Sequence, residues 1–169
     1  MKILLCADAF KSSFETLTRL LPDHMISCCE IDQVEDSLEG VEIAIPLMAS
    51  LNRKVLEKSY LRLIQQYGVG LDGVDVEAAS EKGIWVANVP SMNADSTAEH
   101  GIFLMLALAR RYNETQQSIA DQILGDPAGI GLSGKTVGIL GFGHVGKELA
   151  KRLQGFDVSI FAIKRNPSE

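Results

Sequence analysis

The chain alternates short aliphatic runs with segments whose apolar residues recur at helical spacing. The aliphatic runs predict buried strands, and the segments between them predict helices. Predicted strands cover residues 3–6, 25–29, 42–45, 61–65, 84–87 and 158–163, together with the run that ends at Gly141. Predicted helices cover residues 13–21, 32–38, 52–59, 75–82 and 96–110, with a last one that begins near Val145. This alternation predicts an α/β protein with a parallel, doubly wound sheet.

The predicted helix 96–110 is apolar on every side over residues 102–109. A helix of this kind must be covered around its whole circumference, so we expect it to link two domains and to contact a second subunit. Ser96 and Glu99 have the spacing of a capping box at its start, as Ser13 is the expected cap of the first helix. His100 is predicted to have a packing or interface role rather than a catalytic one. Residues 121–133, which include Pro127, predict an interdomain loop.

A glycine motif follows the aliphatic run 136–140 and opens the last helix. Gly141 suits a sharp turn, Gly143 leaves no side chain between the backbone and a phosphate, and Gly146 lets the helix pack close to the strand. Free N–H groups and the positive end of the helix dipole then face an anion. The motif predicts a dinucleotide cradle, and the alternative is a turn without a ligand.

A second glycine-rich segment, residues 68–75, follows the predicted strand 61–65. Three glycines within six residues indicate a backbone that turns sharply and offers its N–H groups to a ligand. Asp75 is a natural cap for the next helix. A turn followed by a capped helix explains the same pattern equally well, so both interpretations stay open.

The amino-acid composition and charge limit the classes of partner that the chain is expected to bind. The net charge of −6 and the pI near 5.1 argue against a nucleic-acid or anionic-membrane surface and favour small-molecule partners. The longest apolar run, 102–109, is too short to span a bilayer, and no signal-peptide core is visible, so we expect a cytoplasmic or organellar protein. Cys6, Cys28 and Cys29 lack a C-x-x-C spacing, which favours reduced thiols and no metal site.

Three segments together resemble the D-2-hydroxyacid dehydrogenases, the family of phosphoglycerate dehydrogenase and glyoxylate/hydroxypyruvate reductase. They are GVGLDGVD, EKGIWVANVPSMNADSTAEHGIFLMLALARR and LSGKTVGILGFGHVGKELAKRL, in the family's order and spacing. The resemblance implies a flavodoxin-like substrate domain (1–92), a linker helix with an interdomain loop (93–132), and the first β-α-β unit of a Rossmann NAD(P)-binding domain (133–169). It also implies a small 2-hydroxy or 2-oxo acid as substrate and a homodimer at full length.

The same resemblance assigns roles to individual positions. It implies that the main chain at Val69 and Gly70 holds the substrate carboxylate and that Asn93 lies near the substrate. On the cofactor side it implies that Thr97 lies beside the nicotinamide, with the glycine motif around the pyrophosphate. The backbone N–H groups of His144 and Val145 would then contact that pyrophosphate.

No catalytic residue is predicted within the chain. The family's catalytic Arg, acid and His lie well downstream of the glycine motif, whereas the sequence stops at Glu169. We therefore expect the front portion of an oxidoreductase that transfers hydride between nicotinamide and the acid's C2. The alternative is a short product without catalysis that binds nucleotide or pairs with a full-length subunit.

Cofactor preference depends on the end of the strand 158–163. An NAD-selective fold places an acidic residue about 20 positions past the first glycine, where it binds the adenine ribose. Here that position is Lys164, followed by Arg165, with no acid in reach. Both cations would attract a 2′-phosphate, which predicts NADP in preference to NAD. The alternative is that two basic residues simply end a strand in a solvated turn.

Overall fold

The computed structural model describes residues 1–7 and 11–166, with the side chain of Lys11 left out. It divides the chain into two compact units, Met1–Pro90 and Ser91–Glu169. Residues 167–169 of the predicted Rossmann segment lie outside the described part. Among the described helices, none combines the length and the apolar character needed to cross a membrane.

The first unit is built on a five-stranded sheet in which every neighbouring pair is parallel. Its strands are β1 (Lys2–Leu5), β2 (Met25–Cys28), β3 (Ile43–Ile45), β4 (Leu63–Gln65) and β5 (Trp85–Ala87). Its helices are α1 (Lys11–Leu20), α2 (Val34–Ser37), α3 (Arg53–Lys58) and α4 (Val76–Glu81), and a 3₁₀ turn at Ile31–Gln33 precedes α2. The strand order β2-β1-β3-β4-β5 is the flavodoxin-like order, so the predicted fold class is confirmed.

The central strands of this sheet form the core of the first unit. Leu4, Ala44 and Ile64 lie on β1, β3 and β4 and are each 1% exposed or less. Strand β1 is buried on both faces, since Ile3, Leu4 and Leu5 are each 3% exposed or less, and such a strand reads as a continuous aliphatic run. Helix residues such as Val55 and Ala79 close over the sheet.

Side-chain caps fix the helices that flank the 68–75 loop. Asp75 accepts a hydrogen bond from the Ala78 N–H at 2.9 Å, as its position before the helix predicted. Asn52 caps α3 in the same way through the Val55 N–H. The Leu51 N–H donates to the Gly73 carbonyl at 2.8 Å. The C-terminal end of the loop is therefore held by Leu51 and by the start of α4.

The second unit contains a parallel pair of strands, β6 (Thr136–Leu140) and β7 (Ser159–Ile163). Its helices are α5 (Ala94–Ala109), α6 (Tyr112–Ala120) and α7 (His144–Leu153), and a 3₁₀ turn follows α7 at Gln154–Phe156. The order β6-α7-β7 is the predicted β-α-β unit. Helix α7 packs on α5, where a β-carbon on Gly101 would lie 3.7 Å from the Leu149 side chain and Arg152 pairs with Glu99 at 3.0 Å.

Two predicted helix starts are wrong. Helix α5 begins at Ala94 with Asn93 at the N-cap, and Ser96 lies inside the first turn, where its hydroxyl donates to the Asn93 carbonyl at 3.2 Å. Ser13 likewise lies within α1, which begins at Lys11.

Helix α6 was not predicted from the sequence. Its residues are mostly polar, and Arg111 separates it from α5 by taking a left-handed conformation with φ of 50°.

The apolar residues of α5 are unevenly covered, since Phe103 is 54% and Leu108 80% exposed. The ring of His100 lies 5.8 Å from that of Phe103, which fits a packing contact on this helix.

Candidate cofactor and substrate sites

The glycine motif forms a tight turn between β6 and α7. Gly141 has a φ of 95°, a left-handed value that disfavours any side chain. Gly146 is buried, and a β-carbon there would overlap the Gly141 carbonyl oxygen. Gly143 differs from both, because its backbone is extended and a β-carbon would meet no atom within 4 Å. Two of the three glycines are thus required by the fold, and the third faces open space.

The first turn of α7 leaves backbone donors free beside that space. The earliest hydrogen bond of the helix runs from the Lys147 N–H to the Gly143 carbonyl at 3.0 Å. Gly143 at the N-cap supplies no side-chain cap. The N–H groups of His144, Val145 and Gly146 therefore have no partner within the helix, and the positive end of its dipole adds to them. This arrangement fits a pyrophosphate group.

Thr97, predicted beside the nicotinamide, and Asn93, predicted near the substrate, lie at the start of α5 in the same unit. Asn93 is the N-cap of this helix, and the Thr97 N–H donates to its carbonyl at 2.9 Å. A pocket of about 340 Å³ joins the start of α5 to the start of α7. Its lining residues are Ser91, Met92, Ala94, Asp95, His144, Lys147 and Glu148. Of the predicted cofactor residues, His144 is among these lining residues, whereas Thr97 is not.

The end of β7 lies next to the glycine turn. The Gly141 N–H donates to the Ile163 carbonyl at 2.9 Å, so Lys164 and Arg165 follow directly beside the first glycine. Lys164 is half-buried and Arg165 is exposed. The run from Ser159 to Arg165 contains no acidic side chain.

In the first unit, the backbone of residues 68–70 is held through its carbonyl groups. The Gly68 carbonyl accepts from the Val89 N–H at 3.1 Å, and the Val69 carbonyl accepts from the Asn88 side-chain amide at 2.8 Å. The Gly70 carbonyl accepts from the Gln66 side-chain amide at 2.6 Å. Within the described part of the chain, the N–H groups of residues 69–71 have no acceptor. These donors are free for an anion, and the assignment of Val69 and Gly70 to a substrate carboxylate stays a prediction.

A cavity of about 280 Å³ adjoins this loop. Its lining residues are Leu47, Met48, Gln66, Gly68, Gly70, Asp72 and Gly73. The lining contains no cationic side chain, and its single charged residue is Asp72. Arg53, the first cation after the lining residues Leu47 and Met48, pairs instead with Glu81 at 2.5 Å.

The three cysteines differ in how far their side chains are exposed. Cys6 is fully buried, and burial, helped by the neighbouring Cys29 thiol, raises its pKa to about 12. Cys28 is exposed. Over residues 1–7 and 11–166, no cluster of three His, Cys, Asp or Glu side chains could hold a metal ion.

Residues 12–137 match the protein family described as D-isomer specific 2-hydroxyacid dehydrogenase, catalytic domain. The glyoxylate reductase of Thermococcus litoralis is 38% identical over 141 residues, which are 77% of this chain and 43% of that protein. The D-3-phosphoglycerate dehydrogenase of Archaeoglobus fulgidus is 42% identical over 104 residues, which are 60% of this chain and 20% of that protein. The chain thus spans less than half the length of either relative.

Among solved structures, the fold is similar to that of a NAD-dependent formate dehydrogenase from Staphylococcus aureus in complex with NAD. The TM-score is 0.81 at 28% sequence identity, and the match covers 98% of this chain and 56% of that protein.

Proposed function

The chain belongs to the D-isomer-specific 2-hydroxyacid dehydrogenase family, and on this premise we propose that it supplies the cofactor cradle and the carboxylate loop of an oxidoreductase. The reaction is hydride transfer between a nicotinamide cofactor and a small 2-hydroxy or 2-oxo acid. The observation that supports this function best is the turn at Gly141–Gly146. Its open side at Gly143 and its free N–H groups suit a pyrophosphate.

The cofactor, when bound, supplies or accepts the hydride. The role of this chain is to bind and orient. The N–H groups of His144 and Val145 hold the pyrophosphate, and Thr97 lies on the nicotinamide side. The N–H groups of Val69 and Gly70 hold the substrate carboxylate, with Asn93 near the substrate.

We assign no catalytic residue within these 169 residues. In the family that the motifs resemble, the catalytic Arg, acid and His follow the glycine motif. Turnover is therefore proposed for a protein that carries this chain together with those groups. A non-catalytic role in nucleotide binding or subunit pairing is the second candidate, and the exposed apolar side chains of Phe103 and Leu108 on α5 favour its pairing form.

The substrate we propose is small and has its carboxylate as the only anion. A phosphate group on the substrate would need a cation beside the carboxylate loop, and the cavity there has none in its lining. Asp72 would instead repel it. In a protein with turnover, glyoxylate or hydroxypyruvate should have a higher kcat/KM than phosphohydroxypyruvate, and the reverse order would contradict this proposal.

The direct test of the function is a titration of the purified chain with NADPH, followed by fluorescence, with the same sample assayed against glyoxylate. We expect saturable binding without turnover, because the chain offers a cradle but no assigned proton donor. Absence of binding would contradict the cradle. Turnover by a homogeneous sample would contradict the assignment of catalysis to groups outside these residues.

A further inference from the structure

We infer that Asn88 and Gln66 are positioning residues of the carboxylate loop: each holds a carbonyl oxygen of residues 69–70 and thereby turns the next N–H outward. This inference rests on the function proposed above, in which the N–H groups of Val69 and Gly70 hold a carboxylate. To the proposed carboxylate site it adds the two side chains of Asn88 and Gln66, which lie outside the loop, and the Leu71 N–H as a further donor.

The geometry of the peptide bond links each contact to one donor. In a trans peptide, the carbonyl of one residue and the N–H of the next point in opposite directions. The contact from the Asn88 amide to the Val69 carbonyl, 2.8 Å, therefore orients the Gly70 N–H. The contact from the Gln66 amide to the Gly70 carbonyl, 2.6 Å, orients the Leu71 N–H in the same way. The Val69 N–H needs no side chain, because the Val89 backbone holds the Gly68 carbonyl.

The loop needs such contacts because its own sequence does little to fix it. Gly68 and Gly70 have a wide choice of backbone angles, so their peptides could rotate and present carbonyl oxygens to an anion. A carbonyl in place of an N–H would repel a carboxylate. Two side-chain amides that bind the carbonyls from behind remove that alternative.

Gln66 is suited to this task by its own surroundings. It is only 5% exposed, and its side-chain oxygen accepts from the Tyr67 N–H at 2.9 Å. Its amide nitrogen also donates to the Leu47 carbonyl at 3.4 Å. A buried amide with both ends bound has a fixed orientation, so its donor stays directed at the Gly70 carbonyl.

The test compares Asn88→Leu and Gln66→Met with two control variants. Each substitution keeps side-chain size close to the original while removing the donor and adding no charge. Gln65→Met is the control for Gln66→Met, since Gln65 is the adjacent strand residue and its amide contacts only the Gln66 carbonyl among described residues. Asn113→Leu, on the exposed surface of α6, is the control for Asn88→Leu.

The measurement is a titration of the ¹⁵N-labelled chain with glyoxylate, followed through the amide signals of residues 69–71. In the unmutated chain these signals should shift saturably. Asn88→Leu should weaken glyoxylate binding about tenfold and reduce the shift at Gly70, the loss expected when a hydrogen bond to a charged group is misdirected. Gln66→Met should act mainly on the Leu71 signal. Both controls should bind glyoxylate as the unmutated chain does.

The same samples are then titrated with NADPH, which reports on the second unit. A general loss of structure would lower the affinity for both ligands. Loss of positioning should lower the affinity for glyoxylate alone. Unchanged glyoxylate affinity and unchanged signals in Asn88→Leu and Gln66→Met would overturn this inference while leaving the proposed function standing. Absence of any shift at residues 69–71 in the unmutated chain would overturn the carboxylate site and the inference with it. If Gln66→Met does not fold, Asn88→Leu still decides the outcome.

Discussion

The carbonyl oxygen of Gly141 fills the space that a β-carbon on Gly146 would occupy. The Ile139 side chain lies 3.3 Å from the same point, so neither the turn nor the strand can yield without moving α7. We expect Gly146→Ala to lower the free energy of unfolding by roughly 1–3 kcal/mol, as overpacking does, and to weaken NADPH binding by displacing the first helical turn. Urea unfolding and a fluorescence titration measure the two effects.

Gly155→Ala is the control, because a β-carbon at Gly155 meets no atom within 4 Å. It should change the free energy of unfolding by no more than about 0.5 kcal/mol. Equal stability of Gly146→Ala and Gly155→Ala would show that the close approach of helix and turn is not required.

The basic pair after β7 should set the cofactor preference. We expect the chain to bind NADPH more tightly than NADH. Lys164→Asp with Arg165→Ala should reduce the ratio of NADPH affinity to NADH affinity by about tenfold or more, because charge-assisted hydrogen bonds to the 2′-phosphate are lost. Lys135→Asp with Lys151→Ala makes the same change in net charge at other exposed positions of the second unit and should leave the preference intact. Equal or tighter NADH binding by the unmutated chain would contradict the claim.

Helix α5 should lie in a dimer interface. Leu104 is 47% exposed and Leu108 80% exposed, on a helix whose centre has no charged residue. In a protein that dimerises, Leu104→Lys with Leu108→Lys should shift the mass measured by light scattering towards the monomer, because two charges would enter an apolar contact. Gln116→Lys, on the exposed surface of α6, should leave the mass measured by light scattering unchanged. A mass profile unchanged by the leucine substitutions would rule out this surface as the interface.

The buried Cys6 thiol should make stability depend on alkaline pH. Its pKa is raised from the ordinary 9.0 to about 12 in the folded chain. Below pH 9 the thiol is protonated in both states. As the pH rises from 9 towards 12 the unfolded chain loses this proton first, so stability falls by up to about 1.4 kcal/mol per pH unit from this group.

Urea unfolding at pH 8 and pH 10.5 checks this dependence. Cys6→Ala should have a lower free energy of unfolding than the unmutated chain at both pH values. Its free energy of unfolding should fall less than that of the unmutated chain between pH 8 and pH 10.5. Cys28→Ala removes an exposed thiol and should keep the full alkaline loss. An alkaline loss that is the same with and without the Cys6 thiol would contradict the assignment.

The sequence predicted best those features that depend on local pattern or on glycine. Strand β1 is buried on both faces and so reads as an aliphatic run, whereas β3 buries Ala44 and leaves Ile43 and Ile45 half-buried. Gly141 and Gly146 are fixed by backbone geometry that no other residue satisfies without strain, and this restriction is visible in the spacing. The fold class followed from these two signals.

Features set by tertiary contacts could not be found in this way. The start of α5 depends on the backbone just before it, where Ser91 has a φ of 59° and its carbonyl accepts from the Ala94 N–H at 3.0 Å. The role of Asn88 depends on a contact with a residue 19 positions away. Neither contact leaves a periodic pattern, so the sequence predicts a capping box at Ser96 and carries no signal for the role of Asn88.

The central claim, that the glycine turn is a dinucleotide cradle, is tested most directly by NADPH titration of Gly143→Ala. The backbone of Gly143 is extended, and an added methyl group meets no atom of the protein within 4 Å. The substitution should therefore cost no more than about 1 kcal/mol of stability, the difference between glycine and alanine at an N-cap. The same methyl group would occupy the space proposed for the pyrophosphate. We predict a folded Gly143→Ala chain whose NADPH affinity is at least about tenfold lower than that of the unmutated chain, since the charged hydrogen bonds of the cradle are blocked. Equal NADPH affinity in the two folded chains would contradict the account.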